Sequence, residues 1–134
     1  MIAGIDFAAL LQPVAEGSPS GEDLELSGDA DFANYVFPAE GRLPAQFLDT
    51  SGKVIFDKSQ LDIDSEVAQI AGLLARSRDL RLATMLVQFG TASLNLELFS
   101  CSLVFVRDLL ESQWETVHPQ PENGDYTMRK TAVE

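Results

Sequence analysis

The strongest hydrophobic pattern in the chain lies between Asp79 and Ala92. At 3.6 residues per turn, Leu80, Ala83, Val87 and Gly90 share one side, and Leu82, Met85, Leu86 and Phe89 widen it to most of the circumference. Arg81, Thr84, Gln88 and Thr91 remain as a narrow polar stripe. A helix this apolar is normally surrounded by other elements, and the run is too interrupted to span a bilayer. The pattern predicts a central helix near 79–93. Asp79 is its expected N-cap, a role whose loss costs about 0.5–2 kcal/mol.

Two further long helices follow from the same periodicity. Ile63, Val67, Ile70, Ala71 and Leu74 recur at helical spacing and predict a helix over 63–76, capped by Asp62 or Asp64, with Ser65, Glu66 and Gln69 on its polar face. Phe99, Leu103, Val106, Leu110 and Trp114 make one stripe, broadened by Leu98, Phe105 and Leu109, and predict a helix over 96–115 capped by Asn95. Trp114 is expected to anchor the end of that helix in the core, where its loss would cost about 3–5 kcal/mol. Pro119 forbids continuation. The links between these helices are short, which makes sequential helices antiparallel neighbours.

The N-terminal half is less regular. Asp6 caps a short helix over Ile5 to Leu11 that Pro13 stops, and Asp29 caps a second over Ala30 to Val36 that Phe37-Pro38 ends. Glu16 to Leu24, rich in Gly, Ser and Pro, is irregular. Over 46–56, two β-prone runs flank Asp49-Thr50-Ser51-Gly52, which leaves open a β-hairpin or a loop. The fold class is therefore all-α: three long antiparallel helices, short N-terminal helices and a candidate hairpin, forming one domain over 1–134. Another helix begins near Met128 and the chain stops within it, so a longer protein is expected.

Charge narrows the partners. The net charge of −12 divides into −10 over residues 1–66 and −2 over the remainder. A polyanion is repelled by such a surface, so neither nucleic acid nor an anionic membrane is the expected partner. Residues 1–41 hold eight acids and no Lys or Arg. Gly21, Glu22, Asp23 and Glu25 fall together in the irregular loop, with Asp29 and Asp31 just beyond, and loops on a rigid scaffold are where binding residues collect. This acidic rim is the candidate surface for a basic protein. The competing reading is that these acids cap nearby backbone and solvate the domain. With one cysteine and no apolar leader run, the location expected is cytoplasmic.

Catalytic signals are weak. His118, the single histidine, sits beside Pro119 at a helix end, a position suited to capping carbonyls; the rival reading is an unrecognised hydrolase built around it. Cys101 lies in an apolar helix, where a buried inert thiol is the default. Ser18 and Ser20 lie in no nucleophile elbow, and Gly17 to Gly21 lacks the Lys of a phosphate loop. Asp29-Ala-Asp31 and Asp62-Ile-Asp64-Ser-Glu66 lack the pattern of a calcium loop. No metal, cofactor or catalytic set can be assembled, and no enzyme is expected. Arg76, Arg78 and Arg81 are a small basic cluster, and an anion- or small-molecule-binding regulatory domain using them is the alternative function.

Three stretches together carry a resemblance. Ser18-Pro19-Ser20-Gly21-Glu22-Asp23-Leu24 follows Pro13-Val14; Ser77-Arg78-Asp79-Leu80-Arg81 opens the central helix; Leu109-Leu110-Glu111, Trp114 and Val117-His118-Pro119 end the third. In order and spacing this is similar to the N-terminal domain of the ImpA/TssA family of bacterial type VI secretion, and Arg129 falls where that family tends to have an arginine. The loop before the third helix departs from the family in lacking glycines and offers Asn95 as its left-handed residue. The resemblance implies a non-enzymatic module of a cytoplasmic assembly protein. Its implied partners are baseplate, tail tube or sheath components, and oligomerisation is implied through a C-terminal region beyond this chain. Asp79, Leu80, Trp114, His118 and Pro119 within these stretches are expected to be structural.

Overall fold

The computed structural model describes residues 4–44, 48–53, 56–121 and 123–133. Among them are six helices: α1 (Phe7–Leu10), α2 (Ala30–Arg42), α3 (Ile63–Arg76), α4 (Leu80–Ala92), α5 (Leu96–Ser112) and α6 (Thr127–Val133). The three long antiparallel helices expected from the pattern are α3, α4 and α5, with α4 at the centre. Leu80, Leu82, Leu86 and Phe89 of α4 are fully buried. Asp6, Asp29, Asp62, Asp79 and Asn95 each cap the following helix by accepting an N–H two or three residues on.

The α4–α5 pair packs closest, and a glycine permits it. A Cβ on Gly90 would stand 2.7 Å from the Phe99 nitrogen, so any larger residue would force the two backbones apart. The turn between them takes its left-handed residue at Leu94, with φ 57°, rather than at Asn95, which stays extended to cap α5. Phe7 of α1 meets Phe105 of α5 with ring centroids 5.1 Å apart, so the short first helix closes one side of the core.

Three expectations are corrected. Helix α2 does not end at Phe37 but runs through Pro38 to Arg42. The second half of α2 is held from outside: Ala39 is fully buried, and Arg42 Nε lies 2.6 Å from Glu66 Oε1. That burial and pairing outweigh the loss of one backbone donor at the proline. Second, Glu66 does not face water. It accepts the Tyr35 hydroxyl at 2.5 Å inside the α2–α3 contact, and burial, reinforced by Glu66, pushes the Tyr35 phenol well up. Third, α5 ends at Ser112, and its inward side is rotated from the expected stripe. Leu98, Ser102, Phe105, Val106 and Leu109 are buried, while Leu103 and Val104 are exposed.

Of the candidate hairpin, Gln46, Phe47, Val54 and Ile55 lie outside the described residues. The described part is a turn in which Asp49 Oδ1 accepts the N–H groups of Ser51 and Lys53, and the Asp49 N–H donates to the Lys53 carbonyl at 2.9 Å. Among the described residues there are isolated bridges but no strand. Among the described residues no helix is long and apolar enough to cross a membrane.

Candidate functional site

The link between α3 and α4 is only Ser77–Arg78–Asp79, in extended backbone at Ser77 and Asp79. Extended backbone in the protein interior leaves N–H and C=O groups that must find partners. They find them in two segments remote in sequence. The Arg78 N–H donates to the Ser20 carbonyl at 2.7 Å, the His118 N–H donates to the Arg78 carbonyl at 3.0 Å, and the Leu80 N–H donates to the His118 carbonyl at 2.8 Å. A three-part clasp results, with the 18–24 loop on one side of the link and the Val117-His118-Pro119 segment on the other. The His118–Pro119 peptide is cis.

Side chains complete the clasp. Ser20 Oγ donates to Gln113 Oε1 at 2.8 Å and meets Thr116 Oγ1 at the same distance. His118 Nε2 lies 2.9 Å from the Gly21 carbonyl, which makes that nitrogen the protonated one. Gly21 has φ 71°, and a Cβ there would stand 2.2 Å from the Arg76 carbonyl oxygen, so no other residue fits. Arg78 is buried without a carboxylate. It donates to the Leu74 carbonyl in the last turn of α3 and to the Gln12 carbonyl at 2.9 Å. The negative end of the α3 dipole is its charge partner, and burial pushes its guanidinium downward.

Asp79 is the most buried acid of the clasp. Its carboxylate accepts the Arg81 N–H at 2.8 Å, Arg81 Nε at 2.9 Å and Nη2 at 2.6 Å. The same guanidinium also pairs with Glu25 and lies 3.4 Å from Asp23 Oδ1. One positive charge thus serves three carboxylates. Burial, with the Asp23 charge nearby, pushes the Asp79 carboxyl up to about 7 against the pull of the Arg81 N–H.

The expected acidic rim divides here. Asp23 is turned inward: it accepts the N–H groups of Glu25 and Leu26 at 3.1 and 3.2 Å, and its Oδ2 lies 3.6 Å from His118 Nδ1. Gly21 is packed against α3. Glu22 and Glu25 are exposed. The arginine cluster is likewise no open anion site. Arg76 pairs with Asp29 and Asp31, Arg78 is sealed by carbonyls, and Arg81 is shared as described.

Trp114 is not in the core; this expectation is corrected. Its side is 42% exposed, stacked on Tyr126 with centroids 5.4 Å apart and with the Arg129 guanidinium 4.6 Å from its ring. Arg129 is buried and donates to the carbonyls of Pro119 at 2.8 Å and Val117 at 2.9 Å. The core anchors of this segment are Val117 and Gln113, both buried, and the tryptophan instead holds α6 over it. His118 does bond a carbonyl, but that of Gly21 rather than of its own helix end. Cys101 is half-buried on α5. No group of three or more His, Cys, Asp or Glu among the described residues is placed to hold a metal ion.

The clasp lies within residues 11–134, which match a family model described as ImpA, N-terminal, type VI secretion system. The chain belongs to the ImpA N-terminal family. It is similar to the type VI secretion system component TssA1 of Pseudomonas aeruginosa PAO1, 31% identical over 132 residues, a match covering 96% of this chain and 37% of that relative. Its fold is similar to the N-terminal domain, including the ImpA N-terminal region, of the TssA component of the type VI secretion system from Burkholderia cenocepacia. The TM-score is 0.63 at 29% identity, over 96% of this chain and 45% of the other. The chain therefore spans less than half the length of either relative.

In this ImpA N-terminal chain Gly21, Asp79, Leu80 and His118 are held in the contacts of the clasp. Two features escaped the sequence reading. Glu66 stands on the same helical face as Ile70 and Leu73, a spacing that marks it as inward-facing. Leu26, Phe37 and Met128 are exposed and line depressions that Arg81 also lines, and no local pattern signals that.

Proposed function

We propose that this chain is a non-enzymatic protein-interaction module of a type VI secretion assembly protein. It acts in the cytoplasm on baseplate, tail tube or sheath components, and oligomerisation belongs to regions beyond this chain. The match of the family model to residues 11–134 carries the reading. The clasp supports it, because a rigid frame that fixes irregular loops is what a docking module requires. Within the acidic rim, Gly21 and Asp23 shape the loop, and Glu22 and Glu25 face the partner. The arginine-based anion site is not favoured, since each of the three guanidinium groups already has partners.

The test is capture of purified baseplate, tube and sheath proteins by this chain at two salt concentrations. Capture of at least one component, weakened by salt, is expected because exposed charges are screened over about 8 Å at physiological ionic strength. Capture of none at either salt overturns the reading.

A further inference from the structure

Arg81 lies at the junction of three surface depressions. One, of about 280 Å³, runs along α2 past Phe32, Val36 and Phe37. A second, of about 250 Å³, lies between the 23–28 turn and Pro119–Pro121, with Leu26 and Met128 on its walls. A third, of about 510 Å³, opens between Glu40, Met85 and α6. The first two share Glu25 and Arg81, the first and third share Glu40 and Arg81, and the second and third share Met128 and Arg81. Together they form one branched groove.

Its rim is apolar and fixed. Leu26 is 83% exposed, Phe37 72% and Met128 54%. Leu26 is held outward by a closed turn: Asp23 accepts its N–H, the Asp29 N–H donates to the Leu24 carbonyl at 2.9 Å, and Leu24 is buried beneath. Phe37 projects from α2 one residue before the proline that α2 tolerates. Clustered exposed apolar side chains rimmed by charge mark interaction sites.

The charge of the groove selects the occupant. Arg81 is the one base among its lining residues, against Asp23, Glu25 and Glu40, with Asp79 buried behind; Asp29 also lines it but is paired with Arg76. A second copy of this chain, itself at −12, is repelled, and an anionic lipid surface is repelled in the same way. No strand among the described residues offers an edge for β-addition, and apolar side chains ringed by carboxylates suit the apolar and basic faces of an amphipathic helix laid in a groove. We infer that this groove docks a cationic amphipathic helix of a partner protein, its apolar face seated among Leu26, Phe37 and Met128 and its Lys or Arg residues meeting Glu25 and Glu40. The inference rests on the interaction-module reading and names the surface and the partner chemistry.

The experiment is a titration of the isotope-labelled chain with a Lys/Leu amphipathic helical peptide, followed by amide chemical shifts. Controls are the same residues in scrambled order and the Glu/Leu counterpart. Shifts confined to 24–29, 36–37, 39–40, 120 and 128–132, with no response to either control, are expected. L26S/F37S should weaken binding about tenfold or more, as loss of central apolar anchors does. E25Q/E40Q should flatten its salt dependence, and L96Q, at the exposed first residue of α5, should change neither. All variants are first checked for native circular dichroism; should the double variant fail to fold, L26S alone is read. Equal binding by the groove variant, or shifts centred on 94–96, overturns the inference. Capture of secretion components by both the parent and L26S/F37S overturns the groove and leaves the module reading standing. Capture by neither, with groove-specific peptide binding retained by the parent, overturns the module reading and supports the groove.

Discussion

Helices α2 and α4 begin alike. Each is opened by an aspartate cap, Asp29 or Asp79, that accepts an N–H of its own first turn and pairs with an arginine. A glycine with φ 71° lies near each, Gly28 next to Asp29 in sequence and Gly21 bridged to Ser77 across the fold. Yet the two ends behave oppositely. Arg76 holds the Asp29 carboxyl below its ordinary range, the expected result for an exposed ion pair. Asp79, sealed in the clasp and sharing Arg81 with two other acids, is pushed up to about 7. The same local signal gives an acid that favours its charge at one helix and resists it at the other. Burial, not the cap, sets the sign.

The glycines break the comparison most sharply. Gly21→Ala adds a Cβ 2.2 Å from a backbone oxygen as well as a strained left-handed residue. The expected loss is about 3–4 kcal/mol, summing overpacking and backbone cost. Gly28→Ala meets nothing within 4 Å, and only the backbone cost of about 1 kcal/mol is expected. Denaturant midpoints of the two variants measure the gap; equal losses would mean the clasp yields.

Asp79→Ala removes a cap and leaves a largely buried guanidinium short of a partner, for an expected loss of about 2–3 kcal/mol. That exceeds the range of a cap alone, and Asp29→Ala should cost less. The pH dependence sharpens the same contrast. A carboxyl with a raised folded pKa binds its proton more tightly when folded, so its contribution is present below about 4 and is lost as pH rises toward 7. Asp79→Asn keeps an acceptor for the Arg81 N–H and should gain on the parent across that window. Asp29 has a lowered pKa, so its contribution is present above the unfolded value of about 4 and lost as pH falls. Asp29→Asn should therefore trail the parent most near neutral pH and converge with it in acid. Stability of both variants measured from pH 3 to 8 checks the two signs, and parallel curves would refute the assignment.

The smallest single-residue effect beyond Gly28 is expected at Trp114. Its half-open stack on Tyr126 and Arg129 contributes about 1–2 kcal/mol, well below the loss for a core aromatic. Its removal should raise hydrogen exchange in α6 more than it lowers the global midpoint. A loss as large as that of Gly21→Ala would place the ring among the core anchors after all.

Much of this molecule is written in local sequence. The all-round apolarity of 80–92, the Asp and Asn caps and the short links 77–79 and 93–95 determine three antiparallel helices, because each depends on neighbours within a few residues. The resemblance was legible for a related reason: its motif residues sit where chain segments must be pinned. Which residues touch across the fold was decided elsewhere. Pro38 lies inside a helix because Ala39 and the Arg42–Glu66 pair reward its continuation. Trp114 stands half outside because Val117 and Gln113 occupy the core at that end. Asp23 turns inward, away from a partner, because His118 and Arg81 arrive from 95 and 58 residues away. The exposed groove around Arg81 has no sequence signature, since its walls come from α2, the 23–28 turn and α6. Periodicity and capping act over one or two turns, whereas burial, shared charges and open surface exist only once distant segments have met.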